Sequence, residues 1–184
     1  MPKTAIIAIA RILITAAFVF GFPYLLRGIS KRSAYSVRTS RFLFITYIIV
    51  VFIITLGIRN YNDEIGIITD LIWAYRKIYD TVHAGYEVGG ISEAIKRINW
   101  VRGTISSLIL NVFLFVPFGY LAPLTCEKVR RWWKILLAGM AFSLCIEVTQ
   151  YFTHLGWFDI ADPVYNGLGT LIGYRSYKRV FEKT

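Results

Sequence analysis

Ser143, Glu147, Gln150 and His154 are the residues through which this chain is best equipped to do chemistry. They follow one another at intervals of four, three and four, which on an α-helix aligns them along one face. Their neighbours are apolar, and a polar stripe in such a segment needs a partner or a purpose. Glu147 is the strongest of the four, because a carboxyl among apolar residues either holds a proton or finds a cationic or hydrogen-bonding partner. Ser143 reads first as bonded to its own helix, and His154 as lying near the end of the segment.

Downstream come Asp159, Asp162 and Asn166. Asp162 followed by Pro163 makes an N-cap and first-turn pair for a further helix, which gives Asp162 a structural role. Asp159 has no such role in the sequence, and with Glu147 it can bracket a site. Two carboxyl groups in different surroundings can divide acid and base work, so Glu147 and Asp159 are the catalytic candidates. Upstream, Asn111 lies six residues before Pro117. That proline lacks a backbone donor and predicts a kink, with the Phe113 carbonyl left without its usual partner. Asn111 then either bonds a neighbouring helix or joins the polar face. Gly169 and Gly173 form a small-residue face that permits close helix contact and would bring Asn166 towards the stripe. The ligand-binding candidates are Asn111, Glu147, Gln150, Asp159, Asp162 and Asn166.

The elements that must position these groups are membrane spans. Of 184 residues 56% are hydrophobic and 17% charged, with a mean hydropathy of +0.54. A soluble domain carries roughly 45–50% apolar and about 25% charged residues. One domain over 1–184 is expected, all-α: a polytopic helical bundle of about five transmembrane helices, at 5–26, 42–58, 105–124, 135–152 and 163–174. The first could instead be a signal peptide, although it is longer than a typical apolar core of one. The fifth is short and glycine-rich, so it either spans or re-enters.

The formal charge of +10 invites a nucleic-acid reading. The basic residues, however, sit in short runs between apolar stretches rather than on one wet face, so no nucleic-acid partner is expected. Arg27, Lys31, Arg32, Arg38 and Arg41 fall in the first loop, Lys128, Arg130, Arg131 and Lys134 in the third, and Arg175, Lys178, Arg179 and Lys183 in the tail. Loops rich in Lys and Arg stay in the cytoplasm. The N-terminus is therefore expected outside, the C-terminus cytoplasmic, and the 59–104 and 154–162 loops outside. Within 59–104, apolar residues recur at helical spacing from Ile68 to Tyr79 and from Ile91 to Val101, with Gly85, Gly89 and Gly90 between. Two amphipathic interfacial helices are expected there, with Trp73 and Trp100 at headgroup depth. Cys126 and Cys145, and His83 and His154, show no ligand spacing, so neither a metal site nor a cofactor is expected.

With these residues in hand the chain resembles the VanZ-like family of bacterial membrane proteins. Two blocks carry the resemblance, Asn111-Val-Phe-Leu-Phe-Val-Pro117-Phe-Gly119-Tyr-Leu-Ala-Pro123 and Glu147-Val-Thr-Gln150, the latter continuing to Asp159, Asp162, Asn166, Gly169 and Gly173. The family often has an Arg in the turn before the first of these aspartates, where this chain has Gly156 and Trp157, and Ala161 replaces a commonly acidic position. The resemblance implies a part in low-level resistance to teicoplanin and related lipoglycopeptides, and a place in the bacterial cytoplasmic membrane. It implies no catalytic mechanism.

The leading expectation is an outward-facing polar pocket, with Glu147, Gln150 and Asn111 as floor and Asp159, Asp162 and Asn166 at the mouth. Its partners would be membrane lipids, a lipid-linked envelope precursor or a lipoglycopeptide, and homo-oligomers are possible. The alternative is an intramembrane acid/base enzyme modifying a lipid, against which stands the lack of an obvious nucleophile, metal cage or phosphate loop. A proton-coupled carrier built on Glu147 is a third class, poorly served by five spans without an internal repeat.

Overall fold

The computed structural model describes residues 37–57 and 61–181. The expected first span, 5–26, with its signal-peptide alternative, lies outside them. Helix α1 (Val37–Phe52) is uncharged from Phe42 onward and continues into one wide π-type turn, Ile53–Gly57. At that turn Thr55 donates its hydroxyl to the Val51 carbonyl at 2.8 Å, competing with the helix ladder. A short strand β1 (Ile67–Ile68) precedes α2 (Trp73–Thr125), and a 3₁₀ turn at Glu127–Val129 leads into α3 (Trp132–Phe152). Strand β2 (Phe158–Asp159) and helix α4 (Asp162–Phe181) complete the described chain.

The segment expected as two interfacial helices and a separate third span is organised differently. Helix α2 has one break, at Gly89 and Gly90, where Gly90 takes φ 63°, a left-handed conformation that costs glycine little. From Ile91 the chain runs unbroken to Thr125, so the second amphipathic stretch and the third span are one helix of about 35 residues, roughly 52 Å long. Gly85 does not separate the helices but sits where they touch: a Cβ there would lie 2.7 Å from Arg97 Cδ and 3.0 Å from Ala94 Cα. The two limbs therefore fold back as a tight hairpin. Helical dihedrals persist through Pro117 and Pro123, so the expected disruption at Pro117 does not extend to the backbone angles.

An aromatic cluster ties three helices together. Phe142 of α3 contacts Phe52 of α1 and Phe115 and Phe118 of α2, each with ring centroids 5.6 Å apart, and Phe44 of α1 lies 5.4 Å from Phe118. Tyr47 donates its hydroxyl to the Leu114 carbonyl at 2.8 Å. These pairs run in opposite sequence directions, so α1 is antiparallel to α2. Helix α4 meets α2 almost backbone to backbone. A Cβ on Gly169 would lie 2.0 Å from the Val112 carbonyl oxygen and one on Gly173 1.9 Å from that of Val116, so the two helices run parallel. Helix α3 is antiparallel to α4, with Gly139 against Thr170 and Ser143 against Asn166.

Helices α1, with its following turn, α2 and α3 are long and apolar enough to cross a membrane. Among the described residues three of the expected downstream spans thus lie on such helices, and the expected 163–174 segment lies within α4. Helix α4 turns its polar residues Asn166 and Thr170 inward and leaves Leu168 and Ile172 exposed. Ile45, Ile49 and Ile53, and Leu137, Leu144 and Val148, are exposed in the same way, an outer surface suited to hydrocarbon rather than water.

Candidate functional site

The polar groups collect at the end of the bundle where α4 begins. Helix α4 starts at Asp162, with the Ala161 carbonyl accepting from the Val164 and Tyr165 amides, one residue earlier than the expected cap. Asn111 Nδ2 on α2 donates to Asp162 Oδ1 at 2.6 Å. One turn along α4, Asn166 Nδ2 donates to Ser143 Oγ on α3 at 2.6 Å. One turn along α3, Glu147 Oε2 accepts the backbone N–H of Asp159 at 2.9 Å. The Asp159 carboxylate accepts on both oxygens, from the Ala161 N–H and from Trp73 Nε1, each at 2.8 Å. The chain of bonds runs from α2 through α4, α3 and β2 and returns to the start of α2.

The antiparallel register has a consequence for the carboxyl groups. Gly139 faces Thr170 and Ser143 faces Asn166. The next pair at the same four-residue step is Glu147 and Asp162, so two acids on different helices reach the same level. Glu147 is 4% exposed, Ser143 1% and Asn166 6%, while Asn111, Asp159 and Asp162 are half-buried. Every buried polar atom in such a place is expected to have a partner. Yet Asn166 Oδ1 and Gln150 Oε1 are buried with none among the described residues.

Five of the six expected ligand-binding residues thus share one network: Asn111, Glu147, Asp159, Asp162 and Asn166. Gln150 is completely buried but turns to α1, donating Nε2 to the Thr55 carbonyl at 3.0 Å. His154 leaves the stripe altogether. Helix α3 ends at Phe152, and His154 takes φ 57° and stacks on the Tyr61 ring with centroids 5.2 Å apart. Asp159, expected to lack a structural role, has one: it closes the turn into α4 and anchors the first turn of α2. Ser143, expected to bond its own helix, instead receives Asn166 across the interface.

Trp73 escaped the sequence reading as a site neighbour, because nothing local links it to a residue 86 positions away. The link is made by the small parallel pairing of β1 with β2, in which Ile68 lies opposite Asp159. Flanking bonds from Phe158 N to Gly66 O and from Ile160 N to Ile68 O extend it. Trp157, by contrast, covers Gly66, where a Cβ would fall 2.8 Å from its indole. Among the described residues no group of three or more His, Cys, Asp or Glu is placed to hold a metal ion.

Long apolar helices around a hydrogen-bonded cluster of acids and amides at one end define a helical membrane protein with an internal polar cluster. The VanZ/LLP1 family model matches residues 12–181, and the chain belongs to that family. Protein VanZ of Enterococcus faecium is 29% identical over 75 residues, covering 41% of this chain and 46% of that protein. The chain matches about half the length of this curated relative. No solved structure matches significantly.

Proposed function

We propose that the Asn111–Glu147–Asp162–Asn166 cluster is an outward-facing binding site for the polar head of an envelope lipid, a lipid-linked glycan or a lipoglycopeptide. Through it the chain contributes to tolerance of teicoplanin-type antibiotics. The observation that carries this reading is the cluster itself: two acids and two amides drawn from three helices, Glu147 and Asn166 buried and Asn111 and Asp162 half-buried, beside an apolar outer surface, with an acceptor of Asn166 left over. Structural glue alone does not call for facing carboxyl groups. The half-buried Asn111, Asp159 and Asp162 form the mouth and Glu147 with Asn166 the floor, while Gln150 ties the floor to α1. In this reading the protein spans a bacterial cytoplasmic membrane several times, with the β1–β2 end outside and the Lys128–Lys134 turn in the cytoplasm, as the basic residues of that turn require. The hairpin of α2 then meets the outer headgroups with Tyr79, Tyr86 and Trp100.

The test is teicoplanin tolerance of a susceptible bacterium carrying the chain. Glu147→Gln and Asn111→Ala, present in the membrane at wild-type amounts, are expected to abolish the added tolerance. Tolerance equal to wild type in both variants removes the site from the function. A second reading, an acid/base enzyme acting on a lipid, gains from the same register, which offers Asp162 rather than the fully engaged Asp159 as the partner of Glu147. It requires a new or missing lipid species in cells carrying the wild type and none in cells carrying Glu147→Gln.

A further inference from the structure

From Gly103 to Cys126 the sequence holds no charged residue, with Arg102 the first charge on the hairpin side and Glu127 the first on the other. Measured along α2, Arg102 lies about 34 Å from Thr125. The hydrocarbon of a bilayer is about 30 Å thick and the whole bilayer about 40–45 Å, so each headgroup layer takes about 5–7 Å. With α2 crossing the bilayer, as proposed above, and Thr125 at one face of the hydrocarbon, Arg102 stands among the headgroups of the other leaflet. The hairpin brings further cations near that height. Gly85 packs on Ala94 at an equal distance from the Gly89–Gly90 turn, and Lys77 and Arg102 are likewise equally far from it. Arg97 stands about 7.5 Å nearer the tip.

These three cations have no acid partner. Along the hairpin Arg76 pairs with Asp70, His83 contacts Glu87 and Lys96 pairs with Glu93, at 3.3, 3.5 and 3.2 Å. Lys77, Arg97 and Arg102 form no ion pair among the described residues. Of the eleven acids in the chain only Glu182, which follows the last residue of α4, lies outside the described residues. Asp80 is the one hairpin acid outside a pair, against three such cations. Lys77 and Arg97 rest on tryptophans instead, with Lys77 Nζ 5.9 Å from the Trp73 ring and Arg97 Cζ 5.2 Å from the Trp100 ring. Arg97 Nε is buried and bonds nothing among the described residues, so packing rather than an acid holds its guanidinium. Tryptophan suits headgroup depth, and cations at that depth attract anionic lipid. We infer that the foot of the hairpin gathers anionic phospholipid, with Lys77, Arg97 and Arg102 taking the headgroup charge. The inference rests on α2 as a span and not on the polar cluster.

The full chain is purified in a lipid-free detergent and its thermal melting followed with phosphatidylglycerol, phosphatidylcholine or glycerol 3-phosphate added. Phosphatidylglycerol is expected to act at lower concentrations than phosphatidylcholine. Arg102→Gln should cut that preference about fivefold, the share of one cation beside an anionic surface. Adding Lys77→Gln and Arg97→Gln should cut it further. If the triple variant does not fold, Arg102→Gln decides, since its side chain is exposed. Equal effects of the two lipids on the wild type, or a preference that these substitutions leave intact, overturn the inference. A preference lost in Glu147→Gln and kept in the cation variants also overturns it and moves the lipid to the polar cluster. Glycerol 3-phosphate matching the lipid overturns the leaflet as the occupant. The crossing by α2 is read separately: in the background of Cys126→Ser and Cys145→Ala, Glu87→Cys and Lys128→Cys should label from opposite sides of a vesicle.

Discussion

Replacing Gly169 by Ala tests the contact on which the site is built. The added Cβ would fall 2.0 Å from the Val112 carbonyl oxygen, and a carbon next to such an oxygen settles at about 3.3 Å. The main chain of α2 supplies the obstacle, so no rotamer change relieves it, and α4 must withdraw by about 1.3 Å. Moved as a rigid body, the same helix carries Asp162 away from Asn111 and stretches their 2.6 Å bond to about 3.9 Å, beyond hydrogen-bonding distance. Overpacking costs about 1–3 kcal/mol and the lost bond to a carboxylate about 1.5–3 kcal/mol, together roughly 2.5–6 kcal/mol. That is a large share of the stability of a typical domain. Gly103→Ala is the matched control, since nothing lies within 4 Å of its Cβ position. It should stabilise α2 by about 0.5–1 kcal/mol. Reversible unfolding in mixed micelles reads both. If Gly169→Ala unfolds together with Gly103→Ala, the backbone-close α2–α4 packing and the register deduced from it are refuted.

Trp73→Phe keeps the ring but loses the bond to Asp159, and should cost about 1.5–3 kcal/mol, whereas Trp157→Phe, whose indole N–H makes no bond among the described residues, should cost less in the same denaturation assay. Gly90→Ala imposes a side chain on a backbone at φ 63° and ψ −153°, a region essentially confined to glycine, and should destabilise the hairpin by about 1–3 kcal/mol; the readout is earlier proteolysis between Trp73 and Trp100. In a background of Cys126→Ser and Cys145→Ala, a Glu87→Cys variant in intact cells should react with an impermeant maleimide and a Lys128→Cys variant should not. The reverse pattern inverts the proposed orientation.

The membrane class, the polar stripe and the family were all legible in the sequence, because each rests on local periodicity or on order along the chain. Spacing put Ser143, Glu147 and Gln150 on one helix, and they are buried together. What the helical period does not give is where a neighbour stands. Gln150 is 60° around the helix from Glu147, enough to face α1 rather than α4. His154 falls one turn too far along, where the helix has ended. Glycine was the least reliable guide. Gly85, Gly89 and Gly90 look alike in the chain, yet one is a packing contact and the other two make the turn. Asp159 seemed spare because its distant partner, the Trp73 indole, is set by tertiary structure, while its bond to the Ala161 amide two residues on is a local turn that the spacing alone did not single out. The continuity of α2 was hidden by a change from amphipathic to uniformly apolar character near Ile105, which reads as a boundary although the backbone has none.

The hairpin of α2 has both feet planted in the site, Trp73 on Asp159 and Asn111 on Asp162. From Ile91 to Asn111 runs an unjointed rod of about 30 Å. Pivoting it by about 5° at its foot swings the tip, where Tyr86, Val88 and Ile91 stand exposed, through about 2.6 Å. The tip and the carboxyl pair are therefore two ends of one lever. In the proposed reading, a molecule that gripped the tip would load the Asn111–Asp162 bond, and a ligand in the site would restrain the tip.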